Sequence, residues 1–339
     1  MDNQLPKITY LFGAGASANV LPTVKDLPKR IDAVKKYIDE KYIYNDEETV
    51  TIKDFTFKKN DAKEYLLKGL ENLFNFSHNH STVDTYAKKL DLRSNSREIN
   101  ELCFFLALYF NIEQKINGVD LRYETFFISI LDYNAYKFPD NLKFLSWNYD
   151  LQMELSHSNI TGANHQDLNF ELFNITRHDL KKDKFCSIKI NGSCNFINDY
   201  RSLFPMVPKI FQSECSMDDL DFALSYCYSH LIGNKRYYNA RPNMNFAWFR
   251  DGELLTKIVE TYDETEILVV IGYSFPFFNR EIDRQIIRSM KKLKKIYIQD
   301  LMPENIKSRF LSILPDWEIN GIKIISVNDI TEFFLPPEL

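Results

Sequence analysis

A chain of 339 residues that is 45% hydrophobic and 26% charged has enough apolar material for a large core and is not disordered. Its formal net charge of -5 gives no general basic field for nucleic acid, and its longest apolar segment, "LCFFLALYFNI" at 102–112, reads as a core helix because a membrane span needs ~18 residues. Five scattered cysteines, Cys103, Cys186, Cys194, Cys215 and Cys227, form no C-x-x-C pair and so exclude a zinc ribbon or disulfide framework; with an N-terminus that fits no signal or transit peptide, they point to the reducing cytoplasm.

The first strand is expected at Ile8 to Phe12, followed at once by "GAGAS", Gly13 to Ser17, and by a helical pattern from about Asp26 to Glu40. From about 41 to 119 apolar residues recur at three- and four-residue steps, which predicts a helical insertion. The α/β rhythm resumes with helix "YETFFISIL", strand "LKFLSW", helix "LQMELSH" and strand "CSIKI", which ends at Asn191-Gly192-Ser193. A second, mostly helical insertion spans 196–245. After it come helix 251–262, strand "EILVVIGYS", helix "NREIDRQIIRSM", strand "KIYIQD", helix "PENIKSRFLSIL", strand "IKIISV" and a short closing helix. Strands alternating with helices, one of them apolar throughout from Ile267 to Ile271, predict an α/β Rossmann-like fold: one doubly wound parallel sheet buried on both faces. Its core would be about 1–40, 120–195 and 246–339 of a single discontinuous domain carrying the two insertions.

Ligands of such sheets sit at the carboxyl ends of the strands, and four strand ends carry polar or glycine-rich turns. In "GAGAS" the missing side chains would let a pyrophosphate approach backbone N–H groups, or would merely allow tight packing. Gly272-Tyr273-Ser274 reads as a small, hydroxyl-bearing turn beside a phosphate or ribose, or as a plain strand-to-loop glycine. Asp300 could accept ribose hydroxyls or cap the helix that follows Pro303. In "SWNYD" both Asn148 and Asp150 suit a helix cap, a role that accounts for one of them more easily than for both.

"LFGAGAS" followed by Leu21-Pro22-Thr23, "STVDTYAKKL" at Ser81 to Leu90, "SWNYD", "KINGS" at Lys189 to Ser193 and the late "GYSFPFFNREID" together resemble, in order and wide spacing, the sirtuin-like NAD hydrolase domain of bacterial antiphage defence proteins. Thoeris and Kongming effectors are similar. The resemblance implies cleavage of NAD to nicotinamide and ADP-ribose in an abortive-infection response. It also implies a homo-oligomer or a complex with a signal-sensing defence protein, without membrane or direct nucleic-acid contact. By resemblance Asn148 would hold the nicotinamide ribose and the attacking water, with Asp150 the accompanying acid. Gly13, Ala14, Gly15 and Ser17 would form the phosphate turn, Pro22 and Thr23 would flank it, and Gly272 and Ser274 would form the second turn.

Two departures matter. The cysteines cannot build the four-cysteine zinc module of protein deacetylases, so no metal is expected. Asn191 stands where many relatives carry a histidine. Nicotinamide leaves neutral and needs no proton, so the chemistry asks mainly for stabilisation of an oxocarbenium-like transition state and a positioned water. A missing general base, usually a factor of ~100 to 10,000, predicts a slow enzyme. An NAD or ADP-ribose sensor without turnover and an assembly scaffold are the other readings. His78 and His80 in "SHNHSTVD" are spaced as a metal pair but read as a loop without further ligands. "FPFF" at Phe275 to Phe278 would shield the nicotinamide side or join the core.

Overall fold

The computed structural model describes residues 5–52, 55–132, 137–162, 184–197, 203–204, 241–246, 252–314 and 321–339. They fall into two compact units: 5–20, 119–192 and 246–339 form the first, and 21–118 with 193–245 form the second.

The first unit is built on six parallel strands. These are β1 (Ile8–Phe12), β4 (Leu142–Ser146), β5 (Cys186–Lys189), β9 (Ile267–Ile271), β10 (Lys295–Gln299) and β11 (Lys323–Val327). They lie in the order β11-β10-β9-β1-β4-β5. The chain runs outward from β1 through β4 to β5, then restarts at β9 on the other side of β1 and runs through β10 to β11. The order therefore reverses between β1 and β9, and that is where such sheets open a ligand crevice.

Period-two alternation sends successive side chains to opposite faces. Ile8, Tyr10 and Phe12 of β1 join Phe144, Val269 and Tyr297 on one face, where Tyr123, Phe126 and Phe127 of α5 (Leu121–Ile130) cover them. Leu11, Leu145, Leu268 and Ile298 join the other face under Ile258 of α7 (Gly252–Tyr262), Ile286 and Ile287 of α8 (Arg280–Ser289), and Ile306 and Phe310 of α9 (Pro303–Leu311). Both faces are buried, so the fold is the doubly wound α/β arrangement that the continuous apolar strands require. No helix follows β11: Pro336 and Pro337 oppose one, and Phe333 packs instead on the face covered by α5.

The second unit holds α1 (Leu27–Lys41), the hairpin β2 (Thr49–Ile52) and β3 (Phe55–Lys58), and the helices α2 (Lys59–Asn79), α3 (Val83–Leu92) and α4 (Ser96–Asn117). Of 196–245 the described parts are extended, not helical: β6 (Gly192–Ile197), β7 (Leu203–Phe204) and β8 (Arg241–Met244) form a three-stranded sheet, and the rest lies outside the described residues. Helix α1, expected to complete a strand-turn-helix with β1, clusters here with α2. Asn111 of α4 donates to the carbonyl of Cys194 in β6 at 2.7 Å, joining helix to sheet. Among the described residues no helix is long and apolar enough to cross a membrane.

Candidate functional site

The two glycine turns meet at the reversal of strand order, but they meet each other. Gly13 donates to the carbonyl of Ile271 at 3.0 Å, and Gly15 to that of Gly272 at 2.9 Å. A Cβ on Gly13 would lie 2.5 Å from Tyr273 Cα, one on Gly15 2.8 Å from Gly272 Cα, and one on Gly272 2.4 Å from Ala16 N. Gly272 also needs its left-handed φ of +58°. Two of the N–H groups expected to cradle a phosphate are thus already bonded, and the packing explanation of "GAGAS" is realised. Beyond Gly13 the chain makes one four-residue 3-10 turn, Ala14–Ser17, with Ala14 exposed and Ser17 buried.

Asn148 is buried just beyond β4, and its Nδ2 donates to the Gly13 carbonyl at 2.9 Å. Its own backbone N–H is taken by Ser146 Oγ. Asp150 stands one residue before the N-cap of α6 (Gln152–Thr161): Oδ1 accepts the Gln152 N–H at 3.1 Å, and Oδ2 accepts the Ser17 hydroxyl at 2.9 Å. Because Ser17 has one proton and gives it to Asp150, the Tyr123 hydroxyl 3.2 Å away donates to Ser17. Burial pushes the Asp150 carboxyl above its ordinary range, while Lys189, the Gln152 N–H and the Ser17 hydroxyl pull it back. Burial likewise drives the Tyr123 phenol far up.

Lys189, the last residue of β5, donates to the Asp150 carbonyl and to Glu154 at 2.9 Å. The three buried groups clamp the end of β5 to the start of α6. Burial raises the Glu154 carboxyl and Lys189 lowers it again. Two positions on, Asn191 is 5% exposed, and its Oδ1 has no hydrogen-bond partner among the described residues. A buried acceptor left unbonded costs free energy, so this atom is suited to a ligand's donor.

A third cluster follows β4 and β9. Trp147 Nε1 donates to Asp283 Oδ1 at 3.1 Å and the Tyr273 hydroxyl to Oδ2 at 2.8 Å, while Asn279 donates to the same hydroxyl. The Trp147 and Tyr273 rings stack at 5.8 Å. Burial lifts the Asp283 carboxyl to about 8, against the pull of the two donors.

The remaining expected residues make other contacts. Pro22 and Thr23 belong to the second unit, where the Thr23 hydroxyl donates to Asp26. Ser274 is exposed, and its carbonyl accepts from Arg309. Asp300 accepts the Met302 N–H at 2.9 Å in the turn before α9, whose own N-cap, Met302, receives no side-chain cap. Phe275 packs in the core on Tyr273 and Phe310, whereas Phe277 and Phe278 are exposed. His78 stacks on Phe74 near the end of α2, a helix that runs on to Asn79, so that only 80–82 of the expected loop are non-helical before α3. His165, His178 and His230 lie outside the described residues, as do Cys215 and Cys227. Among the described residues no group of three or more His, Cys, Asp or Glu could hold a metal ion.

Sequence reasoning missed Lys189 and Glu154, although a lysine inside the strand "CSIKI" was the signal, since a buried strand lysine needs a partner. It also missed Arg122, which is paired with Asp120 in the interior and donates to the Ala16 carbonyl at 3.0 Å, bracing the 3-10 turn from behind.

No family model matches the sequence, and no curated protein matches it. Among solved structures, one described as "The Structural basis of Sirtuin Substrate Affinity" is 12% identical over 97% of this chain and 91% of that one, with a TM-score of 0.39. Another, "Structure of Sir2Tm bound to a propionylated peptide", is 12% identical over 96% of this chain and 89% of that one, with a TM-score of 0.36. At these values the functional reading rests on the residues of the chain itself.

Proposed function

We propose that this chain is an NAD glycohydrolase, acting at the carboxyl ends of β1, β4 and β5. The observation that carries the proposal is Asn191, a buried amide with an unbonded oxygen at a strand end beside the one that bears Asn148 and Asp150. Its Oδ1 accepts a hydrogen bond from a ribose hydroxyl or from the attacking water. Asp150, held by Ser17 and the Gln152 N–H, supplies the negative or dipolar group that the developing oxocarbenium ion requires. The bond from ribose C1′ to the pyridinium nitrogen breaks, and its electron pair neutralises the ring as nicotinamide departs. Water forms the new C1′–O bond and gives its proton to solvent, leaving ADP-ribose. In this reading Asn148 is a positioning residue that ties the end of β4 to the β1 turn.

The sequence resemblance extends the proposal to a defence effector that depletes NAD, working as an oligomer or with a signal-sensing partner. The second reading is a protein that binds NAD or ADP-ribose without turnover. It is favoured by the two bonds already made by the Asp150 oxygens and by the amide at 191 in place of an imidazole.

The test incubates the purified chain with NAD, alone and with the product of its genomic neighbour, and follows nicotinamide by chromatography. Release that disappears in Asn148→Ala and falls about tenfold in Asn191→Ala is expected. The Asn148 variant also loses about 1 kcal/mol of stability with its bond to Gly13. Binding of NAD without release establishes the second reading, and neither binding nor release removes both.

A further inference from the structure

Three helices of the second unit leave a cavity of about 360 Å³ between them. Gly69 of α2 makes room for its floor: a Cβ there would lie 2.0 Å from Phe105, so the ring of Phe105 rests directly on the α2 backbone. One wall is Phe76 of α2 stacked on Tyr86 of α3, ring centroids 4.1 Å apart and planes 18° from parallel. The other wall is α4, which presents Glu98 and Glu101 one turn apart. The Tyr86 hydroxyl donates to Glu98 Oε2 at 3.3 Å, so the phenol turns its proton to the carboxylate. Neither glutamate is ion-paired with a lysine or arginine among the described residues, and no basic side chain lines the cavity.

We infer that this cavity binds a small alkylammonium cation, held by the carboxylates of Glu98 and Glu101 against the aromatic surfaces of Phe76, Tyr86 and Phe105. The volume suits a small molecule, and the lining combines the two features that recognise an organic cation: ring faces with a negative quadrupole, and carboxylates without an ion-pair partner among the described residues. A neutral apolar ligand would gain nothing from the two carboxylates, of which Glu98 is exposed and Glu101 half-buried, and an anion would be repelled. The negative field is felt by Tyr86 itself, whose phenol is pushed above its ordinary value by burial first and then by Glu98, with Glu101 adding to it and Arg93 opposing. Nothing in this assignment depends on NAD chemistry, because every lining residue lies in the second unit.

The experiment is calorimetric titration of the full chain with choline, with spermidine and with 3,3-dimethylbutan-1-ol, the uncharged analogue of choline. At least one cation is expected to bind the wild type, and the neutral alcohol to bind at least about tenfold more weakly. The double variant Glu98→Gln with Glu101→Gln, checked for fold by circular dichroism, should lose about tenfold or more in affinity for the cation. Phe76→Leu keeps the cavity apolar but removes a ring, and should weaken the cation while sparing the alcohol. Three results overturn the inference: neither cation binds at up to about 10 mM, the alcohol binds as well as choline, or the double glutamine variant binds as tightly as the wild type.

Discussion

At the scale of single residues, Asn148 and Asp150 do unlike things from positions two apart. The amide holds the Gly13 carbonyl, and the carboxylate accepts the Gln152 N–H at the start of α6 and the Ser17 hydroxyl. Local sequence marks both as suited to a helix start, because either side chain can accept an orphan N–H. It does not say which one turns away, since the partner that draws Asn148 lies on another strand. Asp283 allows a measurement at this scale. Its folded carboxyl is raised to about 8 from an ordinary 3.8, so the folded state holds a proton that the unfolded chain has already released. Stability from this group is present at low pH and is lost as the pH rises from about 4 to about 8. Each pH unit inside that window is worth up to about 1.4 kcal/mol. Denaturant midpoints measured across the range should fall with pH in the wild type and flatten in Asp283→Asn. Parallel curves for the two proteins would mean that Asp283 is not held protonated by its surroundings.

Among the elements, the glycine turns after β1 and β9 are one structure contributed by two segments. Gly15 and Gly272 approach so closely that each would lose the other's backbone if it carried a Cβ. Gly272→Ala adds left-handed strain of about 1–2 kcal/mol to a contact of 2.4 Å, and should destabilise the protein more than Gly15→Ala, where the nearest atom is at 2.8 Å. Urea denaturation in the absence of any nucleotide reads both effects. If either alanine left the ligand-free protein as stable as wild type and changed only NAD affinity, the turns would be phosphate cradles and not a packing joint. This also explains what the sequence could and could not show about these elements. Glycines after an apolar strand announce close approach, yet phosphate and backbone make the same demand for a missing side chain. Helix α1 shows a similar limit: its periodicity reveals an amphipathic helix but not the partner of its apolar face, and that partner is α2.

For the whole molecule, the decisive position is the one where a histidine would have simplified the reading. The described histidines offer no substitute base: His78 and His80 stand at the end of α2, and His157 is buried on α6 against Phe138. Turnover should therefore show no step near pH 6.5, and Asn191→Ala should lower it about tenfold, equivalent to one hydrogen bond. A pH–rate profile of wild type beside Asn191→Ala and Asn191→His checks this, and a wild-type step near 6.5 would assign the base to another histidine. The sequence by itself determined the parallel sheet, its two buried faces and the strand ends at which polar residues gather. Those features are written in local periodicity, because a strand apolar on both sides has no stable place except between two layers of helices. Only the tertiary structure decided that Gly13, Gly15 and Gly272 pack on one another, that Lys189 pairs with Glu154 beneath Asp150, and that Asn191 keeps an unbonded oxygen. Each of these depends on which distant atom occupies the space beside a residue, and the spacing of residues along one chain segment does not specify that neighbour.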